Sequence, residues 1–536
     1  MKNLLISLMF IFVCFTSFAQ GWRKDEMEVK IYLNNSEQGK NLYDLHLKGD
    51  YYPTGYGLFN VTPDELLKIQ QLGIRYEITK ANLSQFFKDN ATMLEAYHNY
   101  DQNVALMDSL QIAYPNICKR YQFGVSAGGH PIYGLKVSNN VSVNENEPEV
   151  MFDGGIHGDE LIGQEITIRL ARYLCTNYGS NTTVTDLVNS REIWLYPNVN
   201  PDGRIAMQRE NANGVDVNRD WGYMWDPGTP APSSQPETHA LRSAVLNHQF
   251  TVHTSYHGGT EYLSYPWSYR PEIAPDKPHL DYLAQLYHSS SGYENLPYGQ
   301  GYSGMYPING SSKDYNYAVM GSITWSCEVS NDKQPPASQI SMYWNYNRPA
   351  MLKMIEYAGY GISGLITDSV TGAPVRAAIF VGSDFPAYTD STVGDYHRFL
   401  IPGTYTLKIV ANGYQTKTIP NVVVTANQCT VNNIALQPTA NAKYVYKVIG
   451  CQIPGNNFAD AGYTPGVIGP PDGTYYSLGK SGWIIVDMGT PITEGPGNDF
   501  KIIEGDNSPE GYSCYVSTAM DGPWISLGNA TGTHVN

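Results

Sequence analysis

The chain has 536 residues, a length that predicts about three or four domains rather than a single core. It carries 34 Lys and Arg residues against 50 Asp and Glu residues, which gives a formal net charge of −16. Because an acidic chain without a basic stripe is repelled by phosphate backbones, the composition argues against a nucleic-acid partner.

The first 19 residues have the pattern of a signal peptide. Lys2 supplies the positive charge, residues 4–13 form the apolar core, and residues 17–19 resemble a cleavage site. No later segment is long and apolar enough to predict a transmembrane helix. We therefore expect a mature protein that is secreted, periplasmic or on the cell surface. The six cysteines beyond residue 19 are too few for a disulfide framework, and Cys451 with Cys514 is the one pair that the sequence suggests.

Residues 20–90 are predicted to form a small α+β unit. Alternating apolar residues indicate strands at 29–33 and 56–61, and two helical stretches accompany them.

Three chemically active residues follow three separate β-rich runs. His157, in the motif His-Gly-Asp-Glu160, comes after the apolar run 150–156, and helical spacing begins directly after it. His257 ends the run 250–256, and Glu328 ends the run 322–327. Because an open α/β sheet collects its ligands at the carboxyl ends of its strands, we expect these side chains to lie close together.

This set has the composition of a catalytic metal site. Two imidazoles and a carboxylate hold zinc in many hydrolases and leave the fourth position open, while a second carboxylate accepts a proton. Non-haem iron also uses two histidines and one carboxylate, so iron remains an alternative. Taken alone, His157 and Glu160 could belong to a solvated turn, and His257 could be a core histidine.

Several further motifs accompany the candidate ligands in a fixed order over residues 95–358. They are Asn200-Pro-Asp-Gly203, residues 209–219, Pro236-Glu-Thr238, His257-Gly-Gly259 and residues 328–336. In this combination the chain resembles the zinc carboxypeptidases, and within them the regulatory subfamily related to carboxypeptidases N, E and D. The resemblance implies an α/β fold with a mixed, mostly parallel sheet and helices on both faces, over residues 91–359.

The resemblance also implies roles for single residues in the metal site. His157, Glu160 and His257 are expected to bind one Zn²⁺, and Glu328 is expected to be the general base. Arg209 would polarise the scissile carbonyl, a contribution of about 3–4 kcal/mol per donor in well-studied cases. Asp216 would orient one zinc-binding histidine through a hydrogen bond.

A second set of residues is implied in substrate binding. Asn218 and Arg219 would hold the terminal carboxylate of a peptide, which suits the fork of an arginine. Tyr306 lies 22 residues before Glu328, as does the mobile tyrosine of the family. Lys313 stands at the base of the specificity pocket, where a cation would favour C-terminal Glu or Asp, unless it points to solvent.

One position departs from the pancreatic relatives, which often have arginine after the glycine of the metal motif. Here that residue is Asp159, so the substrate contact that those enzymes make there is in doubt.

The remaining segments are assigned by resemblance and by residue composition. Residues 20–90 stand where pancreatic-type members carry a pro-segment. Residues 360–438 resemble the transthyretin-like β-sandwich that follows the catalytic domain of the regulatory subfamily. Residues 439–536 are rich in Gly, Tyr and Trp and predict a further β domain, with a truncated domain as an alternative. Its aromatic residues pack a core or, as an alternative, contact carbohydrate or a cell surface.

The expected function is hydrolysis of the C-terminal bond of peptides or proteins by a metallocarboxypeptidase. Two alternatives remain open. An enzyme of the same fold could act on peptidoglycan stem peptides or acylated amino acids, and a member without activity could be a binding protein.

Overall fold

The computed structural model describes residues 23–45, 47–52, 55–89, 96–224, 233–382, 385–439, 443–453, 464–493, 495–496, 499–503, 511–532 and 534–535. The predicted signal peptide lies outside these residues. Among the helices of the described ranges, none combines the length and the apolar character that crossing a membrane requires.

The N-terminal unit, residues 27–89, is an antiparallel sheet with helices. Its elements are β1 (Met27–Tyr32), α1 (Ser36–Tyr43), β2 (Lys48–Tyr52), β3 (Tyr56–Val61), α2 (Pro63–Gln71), β4 (Tyr76–Lys80) and α3 (Leu83–Asp89). The strand order is β2-β3-β1-β4. Helix α2 begins with a capping box in which the side chains of Thr62 and Glu65 each accept a backbone N–H. The sequence predicted β1 and β3 but neither β2 nor β4.

The central unit, residues 100–357, contains the large sheet. Its strands are β5 (Cys118–Val125), β6 (Pro131–Val137), β7 (Glu149–Gly154), β8 (Glu192–Tyr196), β9 (Phe250–His257), β10 (Thr260–Tyr265), β11 (Tyr298–Gln300) and β12 (Ile323–Ser330). Its α-helices are α4 (Tyr100–Ala113), α5 (Leu161–Asn177), α6 (Thr182–Val188), α7 (Pro201–Ala206), α8 (Pro236–Asn247), α9 (Lys277–Ser290), α10 (Gly301–Gly304), α11 (Ser312–Met320) and α12 (Ala337–Tyr357). A 3₁₀ turn spans Val217–Arg219.

The sheet is mixed, with parallel pairing at its centre. The order is β11-β10-β12-β9-β7-β8-β6-β5, and the neighbours β12-β9, β9-β7 and β7-β8 are parallel. Every residue of β7, β8, β9 and β12 is buried. Because successive side chains in a strand point to opposite faces, complete burial means that both faces are covered. The predicted fold class is confirmed.

Two β-rich units follow the central unit. The sandwich unit contains β13 (Gly361–Asp368), β14 (Ala378–Val381), β15 (Ala387–Tyr388), β16 (Asp395–Arg398), β17 (Gly403–Val410), β18 (Lys417–Val424), β19 (Cys429–Val431) and β20 (Ile434–Leu436). One sheet has β16, β13, β19 and β20, and the other has the order β15-β14-β17-β18. Their apolar residues, including Ile366, Ile379 and Leu407, form one common core.

The C-terminal unit consists of paired strands. They are β21 (Lys447–Gln452), β22 (Trp483–Asp487), β23 (Lys501–Ile502), β24 (Gly511–Val516), β25 (Ile525–Thr531) and β26 (His534–Val535). Strand β21 is fixed to the central unit, because Cys451 N–H donates to the carbonyl of Gly222 at 2.9 Å.

The cysteine pair suggested by the sequence is wrong. Cys451 is buried in β21 at the junction with the central unit, whereas Cys514 lies in β24, and both are free thiols. The two residues belong to different strand pairs, which the sequence pattern could not distinguish.

Candidate active site

The three predicted metal ligands and the predicted base meet at one edge of the central sheet. Glu328 of β12 stands directly beside His257 of β9, and β9 pairs in turn with β7, after which His157 and Glu160 follow in the turn to α5. All four side chains are buried. The expectation drawn from the strand ends, that these groups lie close together, agrees with this arrangement.

The distances among the metal-ligand atoms suit a small metal ion. His157 Nδ1 is 2.8 Å from Glu160 Oε1, His257 Nδ1 is 2.9 Å from Glu160 Oε2, and the two Nδ1 atoms are 3.2 Å apart. A tetrahedral ion with bonds of about 2.0 Å places its ligand atoms about 3.3 Å from one another. Two imidazole nitrogens and a carboxylate also match the preferences of zinc, so the residues present fit that ion.

Each histidine has a polar group close to its Nε2 atom. His157 Nε2 lies 3.3 Å from Asp216 Oδ1. The resemblance implied a contact of this aspartate with a zinc-binding histidine. His257 Nε2 lies 3.2 Å from Ser255 Oγ, which donates to Asp153 Oδ1 at 2.7 Å. Such outer partners fix the orientation of a ligand ring. The sequence analysis missed Ser255, although residues two apart in a strand share a face and the strand was predicted.

Arg209 reaches from Asp216 toward the metal ligands. Its Nε donates to Asp216 Oδ2 at 2.8 Å, and its Nη1 is 3.5 Å from Glu160 Oε1. Burial opposes ionisation of Asp216, but Arg209 and Arg219 hold the pKa of this carboxyl well below its usual value. The guanidinium of Arg209 is therefore fixed beside the metal site, where the resemblance placed it.

Arg219 and Tyr306 form a second group of donors. Arg219 Nη2 donates to Tyr306 Oη at 2.8 Å, and both side chains are buried. The structure thus brings together two residues that lie 87 positions apart in the chain. Asn218 is adjacent, and its Oδ1 accepts the backbone N–H of Ser312 at 3.0 Å, which ties the amide to the start of α11.

A carboxylate of the N-terminal unit lies among these donors, and the sequence analysis did not anticipate it. Asp50 Oδ1 accepts from Arg209 Nη2 at 3.1 Å and lies 3.4 Å from Arg219 Nη2, and Tyr306 Oη also donates to it. A second bond joins Arg209 Nη1 to Asp50 Oδ2. No local sequence signal marks Asp50, because its role depends on contacts with residues more than 150 positions away.

Lys313 lies inside the protein, since its side chain is only 2% exposed. Its Nζ donates to Ser264 Oγ at 2.8 Å. Burial lowers its pKa to about 8, an effect that Asp314 and Glu328 partly offset. The alternative in which Lys313 points to solvent is therefore wrong.

Glu328 has a carboxyl that resists ionisation in this arrangement. Burial raises its pKa well above the usual value, and the carboxylates of Glu160 and Asp50 act in the same direction. A carboxyl group of raised proton affinity beside a metal site suits proton transfer.

Asp159, which departs from the pancreatic relatives, has a buried cationic partner. Lys333 Nζ donates to Asp159 Oδ2 at 3.0 Å and lies 4.0 Å from Glu160 Oε1. Lys333 belongs to the quoted motif 328–336, but its contact with Asp159 was not predicted. The pair makes Asp159 part of the framework around the ligands.

Comparison with known proteins identifies family matches for the central unit and for the sandwich unit. Residues 103–350 match the family described as zinc carboxypeptidase, and residues 361–437 match the carboxypeptidase regulatory-like domain. The chain is 30% identical over 342 residues to carboxypeptidase SOL1 of Arabidopsis thaliana, covering 61% of this chain and 69% of that protein. It is 28% identical over 403 residues to the human carboxypeptidase N catalytic chain, covering 66% of this chain and 88% of the relative.

Other relatives are much longer than the matched region. Human carboxypeptidase D is 28% identical over 407 residues, which cover 65% of this chain but 30% of that protein. Among solved structures, carboxypeptidase A of Helicoverpa armigera has a TM-score of 0.56 at 17% identity, covering 62% of this chain and 97% of that one. Thrombin activatable fibrinolysis inhibitor has a TM-score of 0.52 at 18% identity, with coverage of 62% and 99%. At these identities the likeness concerns the fold.

Proposed function

The chain belongs to the zinc carboxypeptidase family, and we propose that it removes C-terminal residues from peptides or proteins at the site around His157, Glu160, His257 and Glu328. The observation that carries this proposal is the juxtaposition of a buried metal-ligand triad, a buried carboxyl and a carboxylate-binding group of two arginines and a tyrosine.

Each residue of the site has its own role in the proposed hydrolysis. When bound, zinc would supply Lewis acidity and lower the pKa of a water molecule. Glu328 takes a proton from the attacking water and returns it to the leaving nitrogen. Arg209 holds its guanidinium where negative charge develops on the carbonyl oxygen. Arg219 and Tyr306, with Asn218 beside them, bind the terminal carboxylate, which selects a free C-terminus.

Lys313 supports a preference for acidic C-terminal residues. It is a buried cation whose Nζ donates to Ser264 Oγ, and Ser264 pairs with Ser326, two residues before Glu328 on β12, so we place Lys313 near the bound substrate residue. A side-chain carboxylate would replace the solvation that Lys313 lacks, whereas an apolar or basic side chain would leave it unpaired. We therefore expect Glu and Asp to be favoured over Phe, and Lys to be disfavoured.

The wider organisation is part of the same proposal. A signal peptide over residues 1–19, a pro-segment-like unit over 20–90, a catalytic domain over 91–359 and the β units over 360–438 and 439–536 would give an exported enzyme. A carbohydrate or cell-surface contact of the C-terminal unit stays a prediction, and no comparison supports it.

The test is hydrolysis of blocked dipeptides that end in Glu, Lys or Phe by the full chain. We expect release of C-terminal Glu that stops with a chelator and returns when zinc, but not ferrous iron, is added. The Glu328→Gln variant should lose about 10²–10⁴-fold in kcat. Muropeptides and acylated amino acids are assayed in parallel.

Each contrary outcome has a definite meaning. Release from muropeptides alone would replace the proposal with the peptidoglycan alternative. Peptide binding without turnover in every assay would favour a binding protein. A preference for C-terminal Lys would contradict the role of Lys313 while leaving the carboxypeptidase activity in place.

A further inference from the structure

Strand β9 carries polar side chains where a buried parallel strand is normally apolar. Every residue of β9 is buried, and its two neighbours, β7 and β12, both pair with it in parallel. Its residues His253, Ser255 and His257 are spaced two apart, so they lie on one face of the sheet. Because burial of polar groups is unfavourable unless they are hydrogen-bonded, this row needs partners within the protein.

The neighbouring strands supply those partners. Asp153 of β7 stands opposite Ser255, and Thr324 of β12 stands opposite His253. Asp153 Oδ1 accepts from Ser255 Oγ at 2.7 Å, and Asp153 Oδ2 pairs with His253 Nε2. Thr324 Oγ1 is 2.9 Å from His253 Nδ1. All four side chains are completely buried, so the contacts form one internal chain across three strands.

This chain reaches the metal site through His257. Ser255 Oγ lies 3.2 Å from His257 Nε2, whereas Nδ1 of the same ring is 2.9 Å from Glu160 Oε2, among the metal-ligand atoms. Because the nitrogen that binds a metal carries no proton, Nε2 holds the proton of the ring and donates it to Ser255 Oγ. Ser255 in turn donates to Asp153, since an ionised carboxylate can only accept. The donor is therefore fixed at each step from His257 to Asp153.

We propose that Asp153 is a positioning residue for the zinc ligand His257. It acts through the hydroxyl of Ser255, and His253 holds its carboxylate from the other side. This inference deepens the proposed function, on which it rests, because it assigns further residues to the same metal site.

The two ligand histidines are then held by comparable means. Asp216 approaches His157 Nε2 directly and has Arg209 as its cationic partner. Asp153 reaches its histidine through a hydroxyl and forms its ion pair with His253. Partners of this kind fix the tautomer and orientation of a ligand ring, and their removal typically lowers metal affinity about 10- to 100-fold.

The experiment measures the affinity of the full chain for zinc by competition with a chelating dye. Ser255→Ala removes the link and Asp153→Asn removes the charge, so each should raise the Kd for zinc about 10- to 100-fold. His253→Gln should raise the Kd in the same direction, because it loosens Asp153. Ser255→Thr keeps the hydroxyl and should keep the wild-type Kd.

The matched control is a pair of the same kind at the opposite end of the same two strands. His248 Nδ1 lies 2.6 Å from Glu149 Oε1, where Glu149 begins β7 and His248 precedes β9. His248→Gln should therefore lower the Tm and leave the Kd for zinc unchanged. If it weakened zinc binding as strongly as Asp153→Asn, general loss of stability would explain both effects, and the inference would be overturned.

Wild-type zinc affinity in any one of the folded Ser255→Ala, Asp153→Asn and His253→Gln variants would also overturn the inference. If the variants at Asp153 and His253 do not fold, the two changes at Ser255 decide. Weak zinc binding by Ser255→Ala with recovery in Ser255→Thr would support the chain, and equal affinities of these two variants would contradict it.

The outcome also separates the inference from the proposed function, because zinc binding is measured without substrate. Weaker zinc binding by the variants of a protein that hydrolyses no peptide would leave the inference standing and defeat the carboxypeptidase proposal. Peptide hydrolysis together with unchanged zinc affinity would do the reverse.

Discussion

The acidic preference that we propose for Lys313 should depend on pH. Its pKa of about 8 means that the ammonium is charged below that pH and neutral above it. The groups that act on it are Asp314, Glu328, Arg219 and Asp50. Because only the charged form attracts a substrate carboxylate, the ratio of kcat/KM for Glu-ending over Phe-ending peptides should fall as the pH rises through about 8. Rates measured between pH 6 and 9.5 give this ratio.

Substitution of Lys313 separates this effect from other titrations. A charge-assisted hydrogen bond contributes about 1.5–3 kcal/mol, so Lys313→Met should reduce the ratio about 10- to 150-fold and make it independent of pH. Lys353→Met, a change of a partly exposed lysine on α12, is the matched control. A wild-type ratio that stays flat across the range would contradict the assignment.

Single residues differ in how far the sequence could predict them. His157, His257 and Glu328 were predictable because each follows an apolar strand-like run, and parallel neighbours bring strand ends together. The burial of Lys313 was not predictable, because every residue of α11 is buried and no polar face distinguishes its positions. The role of Asp50 was not predictable, because its partners are distant in sequence.

Strand β2 is a whole element that could not be predicted from the sequence. Lys48-Gly-Asp-Tyr-Tyr52 has no apolar alternation, and a glycine lies inside it, so pattern reasoning left it out. Its place is set by β3, with which it pairs over its whole length. A Cβ at Gly49 would lie 2.3 Å from the carbonyl oxygen of Leu58, so this close pairing requires glycine. Strands β7, β9 and β12 of the large sheet were predictable because they are fully buried, β-rich runs of six to eight residues.

Strand β21 carries a buried lysine that should destabilise the fold at neutral pH. Lys447 is 4% exposed, lies 4.2 Å from the ring centroid of Tyr388, and has its Nζ 3.2 Å from Met320 Sδ. Burial lowers its pKa to about 7, an effect that Asp487 partly offsets and Arg376 reinforces.

The sign of the pH effect follows from proton binding. The unfolded chain keeps Lys447 protonated up to about pH 10.5, whereas the folded protein loses that proton near pH 7, so this residue's penalty falls as pH rises between the two. Lys447→Met should therefore raise the free energy of unfolding by about 1–4 kcal/mol at pH 7, and by less at pH 9.5. Urea unfolding at both pH values measures this. An equal effect at both would show that Lys447 does not titrate as described.

At the scale of the whole molecule, two of the junctions of the central unit differ in their relation to the active site. The N-terminal unit contacts the carboxyl edge of the sheet through Asp50, which affects the active site directly. The sandwich unit attaches elsewhere, through Arg398, which donates to Asp276 and to the carbonyl of Gly321. The first junction contacts residues of the candidate active site, whereas Arg398, Asp276 and Gly321 of the second are not among the candidate site residues, so we expect the second to act on stability.

The sandwich junction yields the last prediction. Arg398 and Asp276 are both almost fully buried, and Tyr317 Oη also donates to Asp276 at 2.7 Å. Removal of Arg398 takes away the cation that faces the buried Asp276 carboxylate, so Arg398→Met should cost about 3–5 kcal/mol and lower the Tm of the central unit together with that of the sandwich. Arg376→Met, which breaks a partly exposed ion pair between the sandwich unit and Asp487 of the C-terminal unit, should cost about 0–1 kcal/mol.

A double variant identifies the source of that loss. If the loss of the cation beside Asp276 is responsible, Asp276→Asn in the Arg398→Met background should recover part of the stability, because the buried negative charge is gone. Calorimetric unfolding of the wild type, Arg398→Met, Arg376→Met and the double variant provides the comparison. Unfolding of the sandwich alone, with the central transition unchanged, would show that the junction does not couple the two units. The kcat of each folded variant should stay at the wild-type value, since the exchanged residues are not among those of the candidate active site.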